Sequence, residues 1–384
     1  MRNTVFVGLG WLALAVLIAF DCPNLRAVEW PIVRGNVLGT GVAEGKLPQS
    51  PKVLWEFKTG IDQAGFEGTP VIADGKVFLG DFIGHVYAID LKTGKVVWKA
   101  KEKDGFLAAG CCSNGILVMG DFSGNIFGYK MSDGTKVWSV EIDSQIVRGG
   151  NLIGEEVLLS TDAGSLIGLE LSTGKEKWKY ATGDQLNSTA SIWKQQALLG
   201  GCDSRLHQID LIKGTPLRES LDLGAPTLST PNIIGDIAIV PTQPGNVYAI
   251  RIDTGETLWS YNPDQSLNTD IRTSSATLAE YKDGKLDGIV VVPSRNRRLL
   301  GLDASNGKLK WEAVLRKRAE AAPVVCDGRA WIGGTDGMIY SISLVDGKET
   351  WSYQLNGQIL ASPAVSENRL IIASEKGSVV CFGE

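Results

Sequence analysis

The chain has 384 residues, of which 21% are charged and 43% hydrophobic, with a formal net charge of −5. That balance is ordinary for a globular protein and leaves no basic footprint, so nucleic-acid binding is not expected. Glycine is abundant at 46 residues and there are 11 tryptophans; with few long amphipathic stretches, this points to short strands joined by tight turns.

The first residues read as an export signal. A short polar start carrying Arg2 precedes an apolar run from Val5 to Phe20, and Leu25-Arg26-Ala27 offers cleavage after Ala27. The run is shorter than a bilayer span requires. A retained anchor and a lipid on Cys22 are the alternatives, and Asp21 stands against the second because a small residue belongs there. Cleavage leaves a chain with no transmembrane segment, in the periplasm or outside the cell, where disulfides are permitted. Its remaining cysteines are Cys111, Cys112, Cys202, Cys326 and Cys381, an odd number without C-x-x-C spacing, so neither a disulfide framework nor a zinc site is expected. Residues 28–50 form a leader containing Trp30-Pro31 and Arg34-Gly35, expected to pack on the outside of the body that follows.

Residues 51–384 are built from a repeat. Its clearest copy runs from Gly68-Thr69-Pro70 through Asp74-Gly75, Val77-Phe78-Leu79, Val86-Tyr87-Ala88-Ile89 and Thr93-Gly94 to Trp98. Trp55, Trp98, Trp138 and Trp178 are spaced by 43, 40 and 40 residues. Trp259, Trp311 and Trp351 continue the series, and Arg218 stands where one Trp is missing. Each copy reads as four short strands separated by D-G and T-G turns, in which Gly supplies positive φ and Asp or Thr binds the local backbone. A period near forty with four strands is the signature of a propeller blade. The last copy starts at Ser362-Pro363-Ala364-Val365 and stops without a fourth strand, whereas Val53-Leu54-Trp55-Glu56-Phe57 is a fourth strand with no predecessors. The fold class is therefore all-β: one eight-bladed propeller, closed by the N-terminal strand so that no blade edge is left at the seam.

The stretch A-x-D-x-x-T-G-x-x-x-W, complete from Ala88 to Trp98 and nearly so before Trp178 and Trp259, resembles the tryptophan-docking repeat of the PQQ-like, quinoprotein alcohol dehydrogenase-like propellers. Pyrroloquinoline quinone (PQQ) dehydrogenases and the non-catalytic BamB-like branch of the outer-membrane assembly machinery share it. The resemblance implies that Trp55, Trp98, Trp138, Trp178, Trp259, Trp311 and Trp351 each pack on a Gly turn of the neighbouring blade. It implies a weaker seam where Arg218 replaces Trp, and carries no implication for catalysis.

Cys111-Cys112 is an adjacent pair of the kind that forms a vicinal disulfide over the quinone in the dehydrogenases. Counting back from the tryptophans places it inside a first strand, not in the loop before it, so two buried thiols are the simpler reading. Glu67, Arg148, Asn187, Arg272 and Glu320 fall at the entrances to first strands and should ring the mouth of the channel as a ligand-binding set. Asp81, Asp121, Asp162, Asp203 and Asp336 form a series better explained by turn geometry than by calcium. His85 and His207 sit in third strands, so no metal site is expected. The one long blade carries its extra residues, Glu280 to Gly288, between its first and second strands.

The leading reading is an exported monomeric scaffold without a cofactor or catalytic residue, binding protein or peptide partners in the cell envelope, BamB-like in class. The alternative is a PQQ- and calcium-dependent alcohol or sugar dehydrogenase. The dehydrogenases build their sites from long insertions absent from these near-minimal blades. A third reading is carbohydrate or polymer binding through exposed Trp193 and Trp331.

Overall fold

The computed structural model describes residues 29–142, 144–263 and 270–384; the stretch read as an export signal, its expected cleavage site and Cys22 lie outside them. Eight antiparallel sheets follow one another along the chain, seven with four strands each. In blade 1 the strands are Val71–Ala73, Lys76–Gly80, His85–Asp90 and Val96–Lys101, innermost to outermost. No described helix is long and apolar enough to cross a membrane.

Ring closure follows the expected scheme. The last blade is Ala364–Ser366, Arg369–Ala373 and Ser378–Gly383, completed by Lys52–Lys58 from the N-terminal side. The pairing is antiparallel, from Lys52 opposite Gly383 to Lys58 opposite Ser378. Blade 4 is irregular: its outer strand is split into Thr215–Pro216 and Leu221–Asp222, both on Arg205–Asp210. Pro216 has no N–H to donate, which suits it only to such an edge. In blade 6 the extra residues lengthen a hairpin, Ala276–Lys282 and Lys285–Ser294. It leans on blade 5, where Tyr281 covers Gly235 so closely that a Cβ there would lie 2.4 Å from the ring.

The tryptophans staple blade to blade. The Trp55 indole donates to Leu91 O at 2.9 Å, Trp98 to Met131 O at 3.0 Å and Trp138 to Leu171 O at 2.9 Å. Trp259 and Trp311 do the same to Ala304 O and Leu344 O, at 2.9 and 2.8 Å. Each of these rings lies on the positive-φ glycine of the next blade: Gly94, Gly134, Gly174, Gly307 and Gly347. Trp178 covers Gly214 but turns its N–H to Glu156 Oε1, 2.6 Å away. Trp351 departs from the expectation. Its neighbour is the closing blade, whose third and fourth strands are not joined by a turn, so it has no glycine to cover and packs edge-on to Phe382 at 5.6 Å.

The leader is where expectation and structure part most. It does not pack outside the ring; it runs around the inside of the channel. Trp30 exchanges two backbone hydrogen bonds with Ile72 of blade 1, and Pro31 O accepts from Cys112 N of blade 2. Val37 O, Leu38 O, Thr40 O and Gly41 O then accept from Ile192, Ile233, Thr277 and Val325 of blades 4 to 7. In blade 3 the Asn151 side chain bridges to Val37 O at 3.0 Å and caps Leu152 N at 2.8 Å. The reason is backbone accounting. Every innermost strand has one edge facing the bore, and buried N–H groups without partners are costly. The leader supplies the acceptors.

Candidate functional site

Strand entrances face one end of the ring, and there they enclose a funnel of about 380 Å³. All five residues singled out at these entrances, Glu67, Arg148, Asn187, Arg272 and Glu320, line it. Its floor is the leader itself, at Val33 and Arg34. Arg34 sits at positive φ in a tight turn fixed by Gly35 N–H donating to Ile32 O at 3.0 Å. From there its side chain crosses the bore and donates through Nη2 to Ser275 O and Pro323 O, at 2.7 and 2.8 Å, in blades 6 and 7. It is 2% exposed and makes no ion pair among the described residues. Burial accordingly pulls its pKa down to about 9.

Four arginines, Arg34, Arg148, Arg272 and Arg295, and two carboxylates, Glu67 and Glu320, line the funnel. Glu320 Oε1 takes Arg295 Nη2 and Arg318 Nε, each at 2.8 Å. Asp270 Oδ2 takes Arg272 Nε at 2.8 Å. Arg148 Nε donates to Asn187 O at 2.9 Å. Burial lowers the Arg148 pKa, with Glu67 opposing that shift, and burial raises the Glu67 pKa, with Arg148 opposing. Desolvation therefore outweighs their mutual attraction. Hydroxyls stitch neighbouring blades around the same mouth: Thr189 Oγ1 donates to Gly149 O at 2.9 Å, and Ser362 Oγ accepts from Ala322 N at 3.0 Å. Arg34, Asp270, Arg295 and Arg318 were not anticipated. Arg295 was within reach of repeat alignment, because it opens the second-to-third-strand turn of blade 6 on the funnel side. Arg34 was not, because no repeat register applies to the leader.

Three other candidates fall elsewhere. Cys111 and Cys112 are buried thiols in the first strand of blade 2, Cys111–Ser113. Successive strand residues face opposite ways, so Cys111 packs in the cluster with Ile126 and Val157 and Cys112 in the one with Phe78 and Tyr129. Trp193 and Trp331 are 5% and 0% exposed, which removes the exposed aromatic platform expected for carbohydrate. The Asp series is not one position. Asp81 and Asp121 are equivalent and pin their turns through His85 N and Asn125 N, each at 2.8 Å. In blade 3 that place belongs to Thr161, which binds Ser165 N at 3.0 Å, and Asp162 follows it. Asp203 and Asp336 sit two places along, on His207 and Tyr340. Among the described residues no group of three His, Cys, Asp or Glu side chains is arranged to hold a metal.

These features define a class: an eight-bladed propeller of quinoprotein-type repeats with tryptophan staples and a polar axial funnel. The chain belongs to the family described as outer membrane protein assembly factor BamB, whose profile matches overlapping segments from residue 48 to residue 382. It is similar to BamB of Yersinia pestis, with 26% identity over 204 residues, 48% of this chain and 52% of that protein. It thus spans about half of that relative's length. The putative dehydrogenase XoxF of Paracoccus denitrificans is 27% identical over 150 residues, 35% of this chain and 25% of that one. Among solved structures, BamB of Moraxella catarrhalis superposes with a TM-score of 0.73 at 19% identity, covering 87% of this chain and 98% of the other. A europium-containing methanol dehydrogenase gives 0.75 at 13% identity, covering 93% and 98%. At such identities the likeness is one of fold.

Proposed function

We propose that this protein is an exported scaffold that binds protein partners in the cell envelope without catalysing a reaction, as its BamB relatives are named for assembly and not for an enzyme activity. The observation that carries this reading is the occupancy of the axis. The leader fills the bore, and above it the lining carboxylate Glu320 is committed to Arg295 and Arg318 while Arg272 is held by Asp270. A calcium ion needs several oxygen ligands from an acidic cluster, and a planar quinone needs an aromatic face to stack on. The described lining holds only two carboxylates, Glu67 and the arginine-paired Glu320, and no aromatic side chain. The residues present therefore do not fit the quinone and calcium of the dehydrogenase branch.

The test is calorimetric titration of the mature protein with PQQ and calcium, with a parallel melt. The expected result is neither saturable heat nor a raised melting temperature. Saturable, stabilising binding that disappears in Arg148→Ala would overturn the reading and direct the search to alcohol or sugar substrates. Site-specific crosslinking in the native envelope then asks which protein the ring contacts.

A further inference from the structure

Beside the funnel, across the seam between blades 6 and 7, lies a second concavity of about 440 Å³. One wall is the second-to-third-strand turn of blade 6, Arg295-Asn296-Arg297, and the other is the loop entering blade 7, with Lys317 and Arg318. Arg295 belongs to both cavities, so the groove opens from the funnel. Counting Arg298 and Arg316 beside it, this one seam gathers six cations in a chain whose net charge is −5. Arg295 and Arg318 share Glu320, and Arg298 is paired with Glu312. Arg297, Arg316 and Lys317 are exposed and form no ion pair among the described residues.

Arg297 carries a second, independent signal. In seven of the blade turns the equivalent residue is identified by the backbone bond its carbonyl accepts from the end of the outer strand, among them Gly84 from Glu102, Gly124 from Ile142, Gly164 from Thr182, Gly337 from Leu355, and Gly377 from Thr59. Blade 4 uses Ser204 and blade 6 uses Arg297, which accepts from Leu315 N at 2.7 Å. Arg297 is held at φ +71°, a left-handed conformation that L side chains disfavour and glycine adopts freely. A long cation that forms no ion pair among the described residues occupies a strained position that five sister blades give to glycine and blade 4 gives to the small Ser204, itself at φ +63°. Strain retained against an available alternative marks a site with a task.

We infer that the blade 6–blade 7 groove is a docking site for an acidic segment of a partner protein, its carboxylates taken by Arg297, Arg316 and Lys317. The inference rests on the scaffold reading and adds to it the partner's chemistry and the place of contact. The site is a groove between two loops, which suits an extended chain better than a flat bilayer. Uncompensated arginines and lysines steer and hold such a chain by charge, with a strong dependence on salt.

The probe is fluorescein-labelled octaglutamate, titrated into the full mature protein at low ionic strength and followed by anisotropy. Sedimentation with phosphatidylcholine vesicles containing phosphatidylglycerol runs in parallel. The variants are Arg297→Gly alone and combined with Arg316→Gln and Lys317→Gln. Arg297→Gly should weaken the peptide about threefold while melting no lower than the parent, because glycine is the unstrained residue there; the triple variant should weaken it about tenfold or more. Equal binding by parent and triple variant, or no binding by the parent, overturns the proposal. So does binding of the vesicles without the peptide, which would give the groove to anionic lipid. A lower melt for Arg297→Gly would make Arg297 a structural residue and overturn it as well. If envelope crosslinkers placed on the opposite face of the ring still capture a partner in the triple variant, the scaffold reading stands and only the groove falls.

Discussion

At the scale of single residues the blade seams turn on one hydrogen bond and one flat contact. Arg218 shows that the chemistry can be met without an indole. Its Nη2 donates to Ile252 O, the carbonyl a docking Trp would take, and its Nε to Gln208 Oε1. Leu221 covers Gly255, supplying the apolar contact. The weaker seam expected from the missing Trp is therefore offset by a guanidinium and a leucine that no repeat count would pair. The thiols make a sharper prediction at this scale. Burial pushes Cys111 and Cys381 up to about 12 and Cys112 well above the ordinary thiol range. Iodoacetamide at pH 8 should mark Cys202 in the native protein and leave those three untouched, read by mass spectrometry after digestion. All five should label once unfolded; a pair at 111 and 112 that stays silent even then is joined as a disulfide. The folded chain holds these thiol protons more tightly, so their contribution to stability is complete below about pH 8.5. It is lost as pH rises toward about 12.

Among the elements, the leader decides how this propeller differs from a plain ring. Blades 1 to 3, 5 and 7, the closing strand and the lengthened hairpin were all legible, because Trp spacing and D-G and T-G turns repeat a rule that local chemistry enforces. Within the funnel, Glu67, Arg148, Asn187, Arg272 and Glu320 were legible by the same register. The path of residues 29–47 was not. Most of its contacts are backbone carbonyls accepting from successive blades, and a carbonyl carries no side-chain signature. Glycines reveal it only in three dimensions. Gly41 lies at φ +68°, and a Cβ there would stand 1.8 Å from the Arg34 guanidinium; Gly60, at φ +65°, has open space around it. Gly60→Ala should cost about 1 kcal/mol for the backbone alone. Gly41→Ala should cost about 2 to 4 kcal/mol, because overpacking is added and the guanidinium cannot retreat from a filled bore. Denaturant titration of both variants isolates the contact. Equal losses would mean that Arg34 has room to move and that the leader is a looser plug than its hydrogen bonds imply.

For the whole molecule, closure couples the two ends of the chain. The strand Lys52–Lys58 gives the last blade its outer edge and lends Trp55 to the first blade, over Gly94 and onto Leu91 O. Removing residues 50–60 would bare the edge of Ser378–Gly383 and erase one staple together. A buried Trp truncation alone costs about 3 to 5 kcal/mol, and an unpaired strand edge invites association with other chains. The shortened protein should therefore melt roughly 10 °C lower or more by circular dichroism and should self-associate on warming. A synthetic peptide of residues 50–60 added in trans should raise the melt again, because it fits a preformed edge of known register. The leader sharpens the forecast. It precedes the closing strand and binds seven of the eight blades from within, and a deletion confined to 50–60 leaves those bonds in place. An unchanged melt would mean that the inner hoop, and not the outer strand, holds the ring shut. Closure would then be assigned to residues 29–47, with the pairing of Lys52–Lys58 a consequence of a ring already closed.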